Sequence, residues 1–278
     1  MTLRPLAILG ALIVVLGGAG SATWWLLRDP DPVVIDSGPD DMPVPPFPPR
    51  IADDAEYDKC MTMLVEDPDG AEDMSARWQA NGGGDAADHC QALAVIANGD
   101  PEAGAEMLEE LAHGDQVQGL TRAILLSQAA DARLMAEQPE AALKDSNEAI
   151  ALSPDDPDLL IGRATAEDAL DKRTEAMDDL NRALQLDNKR VDALVLRAAV
   201  WRRMDMLDEA RSDIDRAVTL DPDDAEALLE RGILRQRAGD LDGAREDWKH
   251  AQEVDPNSEA AEIAAQNLTL LDAGPEKR

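Results

Sequence analysis

From residue 142 onward the chain returns to alanine every 34 residues: Ala142, Ala176, Ala210 and Ala244, shadowed by Ala149, Ala183, Ala217 and Ala251. Leu126, Leu160, Leu194 and Leu228 keep the same step, as do Asp145, Asp179, Asp213 and Asp247. A unit of that length cannot bury a core by itself, so it must stack on copies of itself. The period predicts a helical array, and arrays of this kind hold partners rather than perform chemistry. No alternation of apolar and polar residues runs long enough to predict a sheet, so the expected class is all-α.

Within each unit the pattern reads as two short helices joined by a tight turn. We count Ala123, Pro157, Val191 and Ala225 as first positions, giving units 123–156, 157–190, 191–224 and 225–258. The eighth position is then Ala130, Ala164, Ala198 and Gly232, and the two alanine series fall at the twentieth and twenty-seventh. Small side chains there let neighbouring helix backbones approach closely. Larger apolar residues are expected to face inward: Leu180, Ile214 and Trp248 at the twenty-fourth position, and Leu152, Leu186, Leu220 and Val254 at the thirtieth. Trp201 also reads as core. Ser153-Pro154, Asp221-Pro222 and Asp255-Pro256 end the second helix, because proline neither continues a helix nor lets the residue before it stay helical.

This set of residues resembles the tetratricopeptide repeat, over residues 123–256 without an insertion. The resemblance implies a right-handed α-solenoid of helix hairpins. The chain departs from the family at Ala129, Arg163, Arg197 and Arg231, where leucine is usual, and at Asn188, which replaces a proline. Residues 257–273 are expected to form a capping helix. Arg163, Arg197 and Arg231 recur with Asp179, Asp213 and Asp247, which predicts one structural ion pair per unit. The spacing leaves open whether each arginine meets the aspartate of its own unit or of the one before.

Residues 51–118 carry the helix-pair pattern in blurred form, as terminal repeats do when one face lacks a neighbour. Asp67-Pro68 and Asp100-Pro101 sit 33 residues apart, each with a small residue three further on (Ala71, Gly104). Asn81-Gly82-Gly83-Gly84 separates two hairpins, and residues 114–122 hold a four-residue insertion against the strict period. Cys60 and Cys90 fall on the first helices of these hairpins, where a disulfide or two buried thiols are the alternatives. His89 beside Cys90 is a lone neighbour and not a metal pattern.

At the amino end, Leu6 to Leu27 is free of charge and amounts to about 33 Å of helix, enough to cross a bilayer. We expect residues 1–28 to be a transmembrane signal-anchor with interfacial Trp24 and Trp25. The long acidic domain that follows is then expected on the periplasmic side of a bacterial inner membrane. Cleavage near Ala19-Gly20-Ser21-Ala22, releasing the chain into the periplasm, is the rival reading. Residues 29–50 (DPDPVVIDSGPDDMPVPPFPPR) read as a stiff, solvated spacer.

A formal net charge of −32 excludes nucleic acid as a ligand, because binding there requires Lys and Arg against phosphates. No phosphate loop, metalloprotease motif or nucleophile elbow is present, so no enzyme, cofactor, metal or small-molecule substrate is expected. In the family that the repeats resemble, the first helices line a concave groove that takes protein or peptide. The corresponding residues here give an acidic lip (Asp158, Asp192, Glu226) and a floor of Ile161, Thr165, Val195, Ala199, Leu229 and Ile233. Arg202, Arg203 and Arg237 supply a basic lip, expected to attract an acidic stretch of a partner. Ser127, Asp131, Ile161 and Thr165 stand where chaperone-binding members carry a carboxylate clamp, so that specificity does not transfer. The leading expectation is a membrane-anchored adaptor for envelope complexes. The alternatives are a periplasmic holdase for exported clients, of cytochrome-maturation or translocon-associated type, and a non-catalytic subunit of an envelope enzyme.

Overall fold

The computed structural model describes residues 50–273, and within them the chain forms thirteen α-helices and no strand. The expected anchor and almost all of the spacer lie outside the described residues. Among those described, no helix is long and apolar enough to cross a membrane.

In chain order the helices are α1 (Ala55–Glu66), α2 (Pro68–Ala80), α3 (Gly84–Ala97), α4 (Pro101–Ala112), α5 (Gly119–Met135), α6 (Pro139–Leu152) and α7 (Pro157–Ala169). They continue with α8 (Arg173–Leu186), α9 (Val191–Arg203), α10 (Leu207–Leu220), α11 (Ala225–Arg237), α12 (Leu241–Val254) and α13 (Glu259–Ala273). Starts are written locally. Pro68, Pro101, Pro139 and Pro157 open helices where a missing N–H costs nothing. Asp54, Asp67, Asp100, Asp224 and Asp240 accept backbone N–H groups of the first turn. The first helices α7, α9 and α11 begin at successive steps of 34, and α13 begins one step after α11. Thus the capping helix occupies the place of a fifth first helix, packed on α12 and α11.

Ala142, Ala176, Ala210 and Ala244 are wholly buried, as are Ala164 and Ala198 and the leucines Leu194 and Leu228. Trp248 is buried with Leu228, Ala244 and Ala264 near the carboxyl end of the array, whereas Trp201 packs at the edge of the central core around Leu194 and Ile214. At the thirtieth position Val254 packs against the core beside Trp248, but the three leucines depart from expectation. Leu152, Leu186 and Leu220 are 42%, 39% and 40% exposed, so they do not face inward. Each is the last residue of its helix, where the chain turns away into the next loop. The insertion at 114–122 has a simple form: α5 is one turn longer at its start than α7, α9 and α11.

The turn inside each unit repeats one geometry. The N–H of Gln138, Lys172, Met206 and Asp240 reaches back to the carbonyl of Arg133, Glu167, Trp201 and Arg235 at 2.8–2.9 Å. The residue before each donor is left-handed: Glu137 (φ 56°), Asp171 (61°), Asp205 (62°) and Gly239 (84°). Only the last unit uses the residue that suits this conformation. A side chain there costs about 1–2 kcal/mol, against about 0.5–1 for the extra chain entropy of glycine. We therefore expect Glu137→Gly to raise stability by about 0.5–1 kcal/mol and Asp205→Gly by less, because Asp tolerates the region better. Urea midpoints for the two variants check the sign and the order.

At the amino end, Cys60 of α1 and Cys90 of α3 are joined as a disulfide with Cα atoms 6.2 Å apart, so the two thiols are not free. Closing a loop across a sequence separation of 30 residues contributes about 3–4 kcal/mol on the chain-entropy view. A polar chain reinforces it. Neutral His89 donates from Nε2 to Gln128 Oε1 (2.6 Å) and accepts at Nδ1 from the Tyr57 hydroxyl (2.7 Å), which itself accepts from the Ile51 N–H (3.3 Å). His89 is completely buried, and burial lowers its pKa to about 4 in spite of the Gln128 bond. The unfolded chain therefore takes up this proton first as pH falls. Stability from neutral His89 is full above about 6.5 and falls away between there and about 4, a loss on the order of 3 kcal/mol. Hydrogen exchange corrected for intrinsic rate should show α1 and α3 losing protection from pH 7 to 5, and His89→Gln should remove that response.

Candidate functional site

The expected ion pairs form inside each unit. Arg163, Arg197 and Arg231 each grip the aspartate 16 residues on, Asp179, Asp213 and Asp247, through Nε and Nη2 at 2.6–3.0 Å. Arg163 and Arg197 also donate through Nη1 to Asn147 and Asn181 of the preceding unit. Arg163 and Arg197 therefore fasten three helices each and Arg231 two, and all three belong to the frame. Where Ala129 replaces the arginine, Arg133 leans toward Asp145 from one turn further along (3.9 Å). Glu167 holds the same place in the second unit. Burial and the nearby Asp179 push its carboxyl up to about 7, with Arg163 opposing.

The first helices α5, α7, α9, α11 and α13 stand side by side, each touching the next. Along that face Ile161, Thr165, Ala199, Leu229 and Ile233 are half-buried, whereas Asp158, Asp192 and Glu226 are exposed. Val195 departs from the expected floor: it is 7% exposed and lies in the central core with Leu194 and Ile214. The hydroxyl of Thr165 is turned back onto the Ile161 carbonyl (3.0 Å).

The arginines expected at the other edge are occupied. Arg202 donates to buried Glu230 of α11, Arg203 pairs with Asp168 of α7, and exposed Arg237 sits 3.8 Å from Asp205 and 3.5 Å from the Arg202 carbonyl. Each cation has found an anion on an adjoining unit. Sequence reading missed Asp168 and Glu230 because their partners lie about one period away in separation, a relation visible only once neighbouring units are stacked.

At the acidic edge one cation serves several anions. Arg190 bridges Asp158 and Asp192, both at 2.5 Å, and this pairing raises its pKa. Glu226 feels the negative charges of Asp224, Asp192 and Glu259. Its pKa is raised, first by the partial desolvation of a carboxyl that lies against the array although the residue as a whole is exposed, and then by those neighbours. Among the described residues no set of three His, Cys, Asp or Glu side chains is placed to hold a metal ion.

No family model matches the chain, and no curated protein matches it. Solved structures do. The APC/C hetero-tetramer Cut9–Hcn1 is 14% identical with a TM-score of 0.61, over 77% of this chain and 42% of that one. This chain therefore spans less than half of that neighbour. A thermophilic tetratricopeptide-repeat protein of Thermus thermophilus is 17% identical with a TM-score of 0.58, over 67% of this chain and 99% of that one. At such identities the likeness carries the fold alone. Joined to the 34-residue register in its own residues, it shows that this chain has the tetratricopeptide-repeat fold.

Proposed function

We propose that the chain is a protein-binding scaffold that receives a partner segment along the face of its first helices. The observation that carries this reading is the row of Ile161, Leu229 and Ile233, which keep part of their apolar surface in solvent between charged edges. Such a face suits an amphipathic helix or an extended peptide with spaced hydrophobes. We further propose that residues 1–28 tether the array to a bacterial inner membrane, with the array in the periplasm. Support comes from the uncharged run Leu6–Leu27 and from the Cys60–Cys90 disulfide, which suits an oxidising compartment. The role is then non-catalytic, gathering envelope proteins, with a holdase for exported chains as the second reading.

A photo-reactive amino acid placed at Leu229 in intact cells tests the groove, with an exposed site on α8, Asp178, as reference. Adducts to one defined protein from Leu229 alone are the adaptor result. A broad ladder of clients from Leu229 is the holdase result. Equal adducts from both positions would remove the groove from the account.

A further inference from the structure

We infer that this face selects a cationic partner segment, with aliphatic side chains on the floor by Leu229 and Ile233 and Lys or Arg seated against Asp192, Glu226 and Glu259. The inference rests on the scaffold reading and supplies the polarity of its partner. That polarity is opposite to the one Arg202, Arg203 and Arg237 suggest when read from sequence.

The reversal follows from which charges are already matched. Arg202, Arg203 and Arg237 face Glu230, Asp168 and Asp205, three cations against three anions, so that edge has no net charge to offer an acidic ligand. Glu230, 5% exposed, would be left as an unpaired buried carboxylate if a partner drew Arg202 away. Such a loss costs more than an exposed contact returns. Arg202 is therefore held in place.

The opposite edge is unbalanced. Asp158 and Asp192 share Arg190, while Glu226 and Glu259 have no Lys or Arg within ion-pair distance among the described residues. Asp192, Glu226 and Glu259 come from three successive first helices, α9, α11 and α13, and Glu226 feels the negative charge of the other two. Helix N-termini explain part of their presence, since carboxylates are favoured there. They do not explain a row beside half-buried Leu229, Ile233 and Ile263, a pairing of apolar floor and unmatched charge that fits a basic, aliphatic strand of partner. The overall charge of −32 adds long-range steering of the same sign.

The test uses the full-length chain and two labelled synthetic peptides, one alternating leucine with lysine and one alternating leucine with glutamate. By fluorescence anisotropy the lysine peptide should bind at least about tenfold more tightly, with affinity falling as salt rises. Glu226→Gln combined with Glu259→Gln should weaken the lysine peptide by about tenfold and flatten that salt dependence. Equal or tighter binding of the glutamate peptide, or no effect of the double variant, would overturn the inference. A second double variant, Leu229→Ser with Ile233→Ser, separates this from the scaffold reading. If it abolishes whatever binding is seen, the groove stands even where the charge preference fails. If it leaves binding untouched, the groove itself is refuted.

Discussion

Gly232→Ala is expected to destabilise the array by about 1–3 kcal/mol, although alanine is the better helix former by about 1 kcal/mol. A Cβ built on Gly232 would lie 2.3 Å from Trp248 Nε1 and 2.6 Å from Cδ1. The indole cannot retreat, because Trp248 is completely buried and its Nε1 donates to the Leu229 carbonyl at 3.2 Å. The same two places in the neighbouring units hold Ala164 with Leu180 and Ala198 with Ile214. Volume has been moved from one helix to its partner. Trp248→Leu alone should therefore leave a cavity and cost about 2–4 kcal/mol, whereas Gly232→Ala with Trp248→Leu rebuilds the pairing of the earlier units. The coupling between the two changes should be about 1–3 kcal/mol, favouring the double variant. Urea unfolding of the four proteins reads it, and strict additivity would show that the two residues do not share one space.

The other large effect is expected at Arg197. Asp213 is 7% exposed and receives both Nε and Nη2 of Arg197 at 2.7 Å, while Nη1 reaches Asn181 at 2.8 Å. Arg197→Ala strands that carboxylate in the interior and unlinks two second helices, a cost of about 3–5 kcal/mol. Removing both charges together, as Arg197→Met with Asp213→Leu, should restore most of the loss, because buried pairs hold little net stability over an apolar filling. Comparable losses in the single and double variants would mean that the pair stabilises the array beyond merely satisfying a buried charge.

These two cases also mark how far the residues alone could be read. The eighth, twentieth and twenty-seventh positions were legible because close approach of two backbones admits only small side chains, whatever else surrounds them. The arginine–aspartate pairs were legible as a repeated motif, but their pairing within the unit needed the turn between α7 and α8, or α9 and α10, to be drawn. Leu152, Leu186 and Leu220 misled because periodicity reports a shared environment without saying which one. Val195 misled in the other direction, buried where its place in the register implied a groove. The lips of the groove were the hardest part. Arg202 and Arg203 carry charge in the sequence, and only stacking reveals that Glu230 and Asp168 cancel it. Cys60 and Cys90 sat on neighbouring first helices in both views, yet the bond between them depends on a Cα separation that spacing does not supply.

Excising residues 191–224 tests the periodic stack most directly, since it removes one whole unit and joins Arg190 to Ala225. The shortened chain should keep the same far-UV circular dichroism per residue in its array and melt cooperatively at a lower temperature. Arg231 should take the place of Arg197 against Asn181. A chain that loses its helical signal, while one cut out of register by a few residues does no worse, would contradict the account.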